Sequence, residues 1–167
     1  MKNYRFILLC VVLIVAQVFL VNFFSLSRWV VISLLPAIIL MLPLKMGHIS
    51  SMLLAFLIGF VVDFFGNGML GLTSIALVPV ALSRFFVYGM VFGDEMSSRA
   101  DVISISRLGV LRITLASLLM CGLYFLVYVW VDSAGTVPFW PAFLRFFLSV
   151  LVGTPVSVLV SKLLRPE

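Results

Sequence analysis

The stretch GFVVDFFGNGMLGLTSIALVPVALSR, from Gly59 to Arg84, decides the fold because it joins two apolar segments through a short polar turn. Between the apolar flanks stand one carboxylate, Asp63, and the turn Gly66-Asn67-Gly68. A membrane-spanning helix needs about 20 mostly apolar residues, and the chain on either side of the turn supplies that length. The stretch therefore predicts two consecutive membrane helices that meet at a tight corner.

The composition of the whole chain indicates an integral membrane protein. Of its 167 residues, 64% are hydrophobic and only 10% are charged, and the mean hydropathy is +1.32. A soluble domain carries about 25% charged residues, so this chain lacks the polar surface that a protein of its size needs in water. We expect a single polytopic membrane domain over residues 1–167, with no separate soluble domain.

Six apolar segments predict an all-α integral membrane protein with a bundle of six transmembrane helices. The predicted spans cover residues 6–24, 29–44, 49–65, 69–92, 108–131 and 139–164. The second span is short, about 24 Å as an ideal helix, and it contains Pro36 and Pro43. A re-entrant second segment with five spanning helices is the alternative, but it would place the two basic tails on opposite sides.

The basic residues predict the orientation. With six spans both tails lie on one side, and nine Lys or Arg fall on or towards that side against two on the other. The nine are Lys2, Arg5, Lys45, Arg84, Arg99, Arg107, Arg112, Lys162 and Arg165, and the two are Arg28 and Arg145. Because cytoplasmic loops are enriched in Lys and Arg, we expect both termini in the cytoplasm. Arg84 and Arg112 are expected to snorkel towards that interface.

Groups that catalysis requires are sparse in this sequence. His48 is the one histidine, it stands in a short turn without a nearby Cys or acid, and the motifs HExxH and CxxC are absent. An aspartyl protease needs two facing acids, whereas only Asp63 lies near a helix interior. We therefore expect no enzyme, no metal site and no cofactor, and the scattered basic residues indicate no nucleic-acid partner.

Two ionisable residues stand within or beside the spans at the side opposite the tails. An Asp or Arg at a helix centre costs about 2.5–3.5 kcal/mol on insertion scales. Asp63 is either a helix-end acid that reaches headgroup water or an acid that holds the next turn or a partner's donor. Arg145 either snorkels to the interface or pairs with Asp63, and such a pair would lower both costs of burial.

The sequence from Gly59 to Val80, GFVVDFFGNGMLGLTSIALVPV, resembles the rod shape-determining protein MreD family. An apolar helix with an acid at its end is followed by a glycine-rich turn and by Leu70-Gly71-Leu72, which opens the next helix. The length and the six-span hydropathy fit that family along the whole chain. The resemblance implies a six-helix fold like that of the membrane-embedded substrate-binding subunits of ECF vitamin transporters.

By that resemblance the chain is a non-catalytic inner-membrane scaffold of the bacterial cell-elongation complex. The implied partners are MreC, and through it MreB, RodA and a penicillin-binding protein, besides membrane lipid. Asp63 and Gly66-Asn67-Gly68 would form a rigid corner in which Asn67 tolerates the left-handed conformation, and Gly71 would let the next helix approach its neighbour closely. The alternatives are a substrate-binding subunit of a vitamin transporter and, more weakly, a transporter of lipid or of a precursor.

Overall fold

The computed structural model of the chain describes residues 2–23, 30–43, 46–67, 69–92, 110–133 and 138–164. The helices are α1 (Lys2–Phe23), α2 (Leu35–Leu40), α3 (His48–Val62), α4 (Leu72–Phe92), α5 (Val110–Asp132) and α6 (Phe139–Leu164), and a π-helix (Asp63–Asn67) continues α3. Over the described part of the chain, five helices are long and apolar enough to cross a membrane, and α2 is not one of them. The prediction of an all-helical, multi-pass membrane protein is confirmed.

The direction of the helices follows from two contacts. Asn22, near the end of α1, donates a hydrogen bond from Nδ2 to the carbonyl of Phe65 at 3.0 Å, so α1 and α3 end on the same side of the bundle. Asp132, at the end of α5, pairs with Arg145 near the start of α6, so these two helices are antiparallel. We call the side that holds Asn22 and Phe65 the corner end and the opposite side the tail end.

The chain returns from the corner end to the tail end between α1 and α3, and residues 30–43 make this second passage. They do not form the continuous helix predicted over 29–44, because only Leu35–Leu40 are helical. Six residues of helix rise about 9 Å, far less than the bilayer core of about 30 Å. Pro36 stands in the first turn of α2 and Pro43 follows its end. Both lack the backbone N–H that a longer helix would need at these positions, which accounts for the break.

The second passage forms the centre of the bundle. Every side chain from Leu34 to Leu42 is buried, and α2 packs against α4, α5 and α6. A non-helical backbone is tolerated at membrane depth only where protein or a water-filled cavity surrounds it. In this bundle protein surrounds it.

Small residues allow α6 to approach α5 closely. Four buried small residues recur at every fourth position of α6: Ser149, Gly153, Ser157 and Ser161. A Cβ atom on Gly153 would lie 2.5 Å from Cε2 of Phe125 on α5. Small side chains at this spacing are typical of membrane helices in close contact.

The contact between α3 and α4 is closer still. A Cβ atom on Gly59 would lie 2.6 Å from the Cα of Ser74, so the two backbones touch. The Ser74 hydroxyl also donates to the carbonyl of Phe56 at 3.2 Å. The two helices that flank the corner are therefore fixed to each other through glycine and serine.

Gly59→Ala is expected to lower the free energy of unfolding by about 1–3 kcal/mol, because overpacking against a backbone atom cannot be relieved by rotating a side chain. Gly122→Ala is the matched control, since a Cβ atom at this position in the middle of α5 would meet nothing within 4 Å. The control should be neutral or stabilised by up to about 1 kcal/mol through helix propensity. Thermal unfolding in detergent micelles measures the stability of both variants. Equal melting temperatures would contradict the close contact of Gly59 with Ser74.

Candidate functional site

Asp63 opens the π-helix, and its side chain is completely buried. Its carboxylate accepts backbone N–H groups from Gly71 at 3.0 Å, from Thr73 at 2.9 Å and from Ser74 at 3.4 Å. These N–H groups stand at the start of α4, where they have no acceptor within the helix. Asp63 therefore caps α4 from across the corner, and the positive end of the helix dipole stabilises its negative charge.

Gly71 has a different role from the one predicted. Gly71 has φ of 97°, in the left-handed region, and a Cβ atom there would meet nothing within 4 Å. Its backbone conformation is therefore what requires glycine, and the prediction that Gly71 permits close helix approach is wrong. That approach is made by Gly59 instead, because Gly59 faces Ser74 across the α3–α4 contact.

The turn itself begins as a π-helix rather than as a left-handed bend. Asn67 is the last residue of the π-helix, and no described residue other than glycine has a positive φ, so the predicted left-handed Asn67 is wrong. Gly66 faces α1, where a Cβ atom would lie 3.1 Å from Cγ1 of Val21. Gly68 lies outside the described residues. Gly66 and the bond from Asn22 to Phe65 together fasten α1 to the corner.

The guanidinium of Arg145 pairs with Asp132. This pair lies at the corner end, because Met120 of α5 meets Ser83 in the middle of α4, whereas Tyr124, further along α5, meets Thr73 at the start of α4. The side chains of Arg145 and Asp132 are 24% and 23% exposed, so the pair is half-buried beside the connection between α5 and α6. The carboxylate that pairs with Arg145 thus belongs to α5, the other helix of the same hairpin. The carboxylate of Asp63 instead accepts N–H groups at the start of α4.

Side chains from two helices hold the amino-terminal part of the second passage. Gln17 of α1 accepts the N–H of Leu34 on Oε1 at 2.8 Å and donates from Nε2 to the carbonyl of Ile32 at 3.3 Å. Ser149 of α6 accepts the N–H of Val31 on its hydroxyl at 3.0 Å. These backbone groups have no helical partner, so the side chains replace the bonds that a continuous helix would have made.

Side chains of α4 hold the carboxyl-terminal part. Arg84 donates from Nη1 to the carbonyl of Ile39 at 3.4 Å and from Nη2 to the carbonyl of Pro43 at 3.2 Å. The Tyr88 hydroxyl, one turn further along α4, donates to the carbonyl of Leu40. The carbonyls of Ile39 and Pro43 also accept backbone N–H groups, from Leu42 and Met46, so Arg84 adds a second donor to each. A cation at the end of a helix is favoured by the helix dipole.

The burial of Arg84 corrects the prediction that it snorkels. Its side chain is 0% exposed, and its guanidinium carbon lies 4.9 Å from the centre of the Phe85 ring and 5.8 Å from that of Tyr88. Cation–π contacts of this kind are worth more in a desolvated site. Its bonds to carbonyls inside the bundle explain why Arg84 turns inward.

Sequence reasoning missed the four residues that hold the second passage: Gln17, Arg84, Tyr88 and Ser149. A signal for them exists, since Gln17 and Arg84 are isolated polar residues in otherwise apolar helices and the short second segment contains two prolines. Such residues mark places where irregular backbone is satisfied at membrane depth. The sequence alone does not reveal which backbone groups they meet.

The polar groups of the corner and of the second passage are engaged mainly with backbone. Among the described residues, no group of three or more His, Cys, Asp or Glu is placed to hold a metal ion. Asp63 accepts hydrogen bonds from N–H groups at the start of α4, and Arg84 donates hydrogen bonds to backbone carbonyls. These bonds hold the backbone at the corner and along the second passage.

Comparison with known proteins gives no match. No protein-family model matches the chain, and neither the curated proteins nor the solved structures contain a significant match.

Asp63→Ala is expected to lower the free energy of unfolding by about 1–3 kcal/mol or more, because it leaves buried N–H groups of α4 without an acceptor. Asp63→Asn keeps one acceptor oxygen, so its free energy of unfolding should fall by less. Asp132→Asn is the control, since its ion pair is partly exposed and should contribute no more than about 1 kcal/mol. Melting temperatures that rank Asp132→Asn below Asp63→Ala would contradict the capping role.

Tyr88→Phe is expected to cost about 1–2 kcal/mol, because it removes only the hydroxyl that satisfies the buried carbonyl of Leu40. Tyr4→Phe removes the same atom from a side chain that is 80% exposed, so its melting temperature should equal that of the wild type. If both variants had the melting temperature of the wild type, the stabilisation of α2 by the Tyr88 hydroxyl would be refuted.

Proposed function

We propose that this chain is a non-catalytic scaffold of the bacterial inner membrane, which binds neighbouring membrane proteins rather than converting or carrying a solute. The observation that carries this proposal is the filled centre of the bundle. The side chains from Leu34 to Leu42 occupy the middle, and all of them are buried. A transport site needs a cavity lined by convergent polar groups in that region.

The second candidate, a substrate-binding subunit of a vitamin transporter, is favoured by one observation. Broken helices near the bilayer midplane are common at the binding sites of transporters, where their free backbone groups contact the substrate. Here backbone groups of residues 31–34 bind Gln17 and Ser149, and backbone carbonyls of residues 39–43 bind Arg84 and Tyr88. Because side chains of the protein itself bind these backbone groups, a scaffold explains the broken helix better than a substrate site does.

The likeness of the corner sequence, residues 59–80, to the MreD family supports a more specific proposal. The chain would join the cell-elongation complex by binding MreC, and through it MreB, RodA and a penicillin-binding protein. Its termini would face the cytoplasm, as the distribution of Lys and Arg favours. The buried cap at Asp63 suits this role, because a scaffold needs a corner of fixed shape.

Co-purification from the native membrane tests the proposal. The tagged chain, extracted in mild detergent, is expected to bring MreC with it, and mass spectrometry identifies the proteins present. Recovery of an ATPase module, or of a retained vitamin, in place of MreC would support the transporter and reject the scaffold.

In cells, Asp63→Ala is expected to reduce the recovery of MreC and to widen the cells, although the chain still inserts into the membrane. Because Asp63 is fully buried, it acts on a partner through the shape of the corner. Gly153→Ala is the control: it disturbs the contact of α6 with Phe125 and leaves the carboxylate of Asp63 in place, so it should lower stability without reducing MreC recovery at equal protein levels. Normal width and unchanged MreC recovery in the Asp63 variant would remove the corner from the proposed function.

A further inference from the structure

Among the described residues, positive charge is concentrated at the tail end. Four cations lie in the helix ends there: Lys2, Arg5, Arg112 and Lys162. No described acid lies at that end, so these helix ends together carry a charge of +4.

The register of the helices places two of these cations at comparable depth. Gln17 of α1 and Ser149 of α6 lie within about 10 Å of each other in depth, because both bind backbone of the second passage within residues 31–34. Arg5 stands twelve residues from Gln17, and Lys162 stands thirteen from Ser149, both towards the tail end. These separations correspond to about 18 Å and about 20 Å of helix.

The depth of these cations below the end of α1 is close to the thickness of a bilayer core. Phe23, where α1 ends, is six residues beyond Gln17 towards the corner end, which is about 9 Å. Arg5 and Lys162 therefore lie about 27–29 Å below the corner end of α1, and the core is about 30 Å thick. In a bilayer whose core begins at the end of α1, the lipid phosphates would lie at the level of these two side chains.

Both side chains are exposed, and α1 and α6 contact each other. The two acids of the described residues, Asp63 and Asp132, lie at the corner end. Arg112, which is also exposed, stands near the start of α5 at the same end of the bundle. The tail end thus offers exposed positive charge from neighbouring helices at the depth of the headgroups.

We propose that Arg5 and Lys162 form a binding surface for the headgroup of an anionic phospholipid. A cation near a charged membrane surface gains about 1 kcal/mol from anionic lipid, and a zwitterionic headgroup provides no net charge to attract it. The lipid would cover the tail ends of α1 and α6, away from the corner. This surface does not depend on which protein partner the corner binds.

Native mass spectrometry of the full chain tests the proposal. The detergent-solubilised protein is mixed with phosphatidylglycerol or with phosphatidylcholine of the same acyl chains, and bound lipid is counted. We expect several-fold more phosphatidylglycerol than phosphatidylcholine. The double variant with Arg5→Gln and Lys162→Gln should bind phosphatidylglycerol about thirtyfold more weakly, which corresponds to about 1 kcal/mol for each cation.

The single variants Arg5→Gln and Lys162→Gln each remove one positive charge. Arg28→Gln is their matched control, because it changes the net charge equally at a position that follows α1 in the sequence. It should leave phosphatidylglycerol binding unchanged, and unaltered melting temperatures establish that the variants are folded. Equal retention of the two lipids by the wild type would overturn the proposal. Undiminished binding of phosphatidylglycerol by the double variant would also overturn it. So would a loss of binding in Arg28→Gln equal to that in a single variant, because it would show that net charge alone attracts the lipid.

Discussion

A backbone N–H or carbonyl group inside a bilayer has no water to bind, so every break in a helix needs a partner from the protein. The second passage needs most of these partners, because its prolines prevent a continuous helix in the centre of the bundle. Gln17 and Ser149 meet backbone groups before α2, and Arg84 and Tyr88 meet carbonyls at and beyond its end. Four side chains that would otherwise be costly in lipid thereby become necessary to the fold.

The corner obeys the same rule. The start of α4 leaves N–H groups without acceptors, and the carboxylate of Asp63 supplies them from the preceding helix. An acid, an arginine, a glutamine and a serine at membrane depth thus have one physical explanation, the satisfaction of backbone at two irregular places. Polar residues in a membrane helix often mark function, and here their first effect is to fix the shape on which function depends.

The sequence predicted the features that depend on composition and local order. The apolar excess predicted a helical membrane protein, and the acid before a glycine-rich turn predicted where α3 gives way to α4. Features that depend on distant contacts were not accessible: Gln17 meets Leu34 across 17 positions, and Arg84 meets Ile39 across 45. Small residues likewise predicted a close helix contact. Which glycine makes it depends on the relative rotation of α3 and α4, and the structure shows that it is Gly59 and not Gly71.

Helix α4 connects the two irregular places, since it receives Asp63 at its start and presents Arg84 and Tyr88 to α2 near its end. Pro79 stands between them and removes one hydrogen bond from the middle of this helix, which by itself would favour a kink or a hinge. Each half of α4 is nevertheless held by a neighbour, through Ser74 against Gly59 on one side of the proline and through Arg84 on the other. Both halves of α4 are thus fixed to neighbouring helices, on either side of the proline.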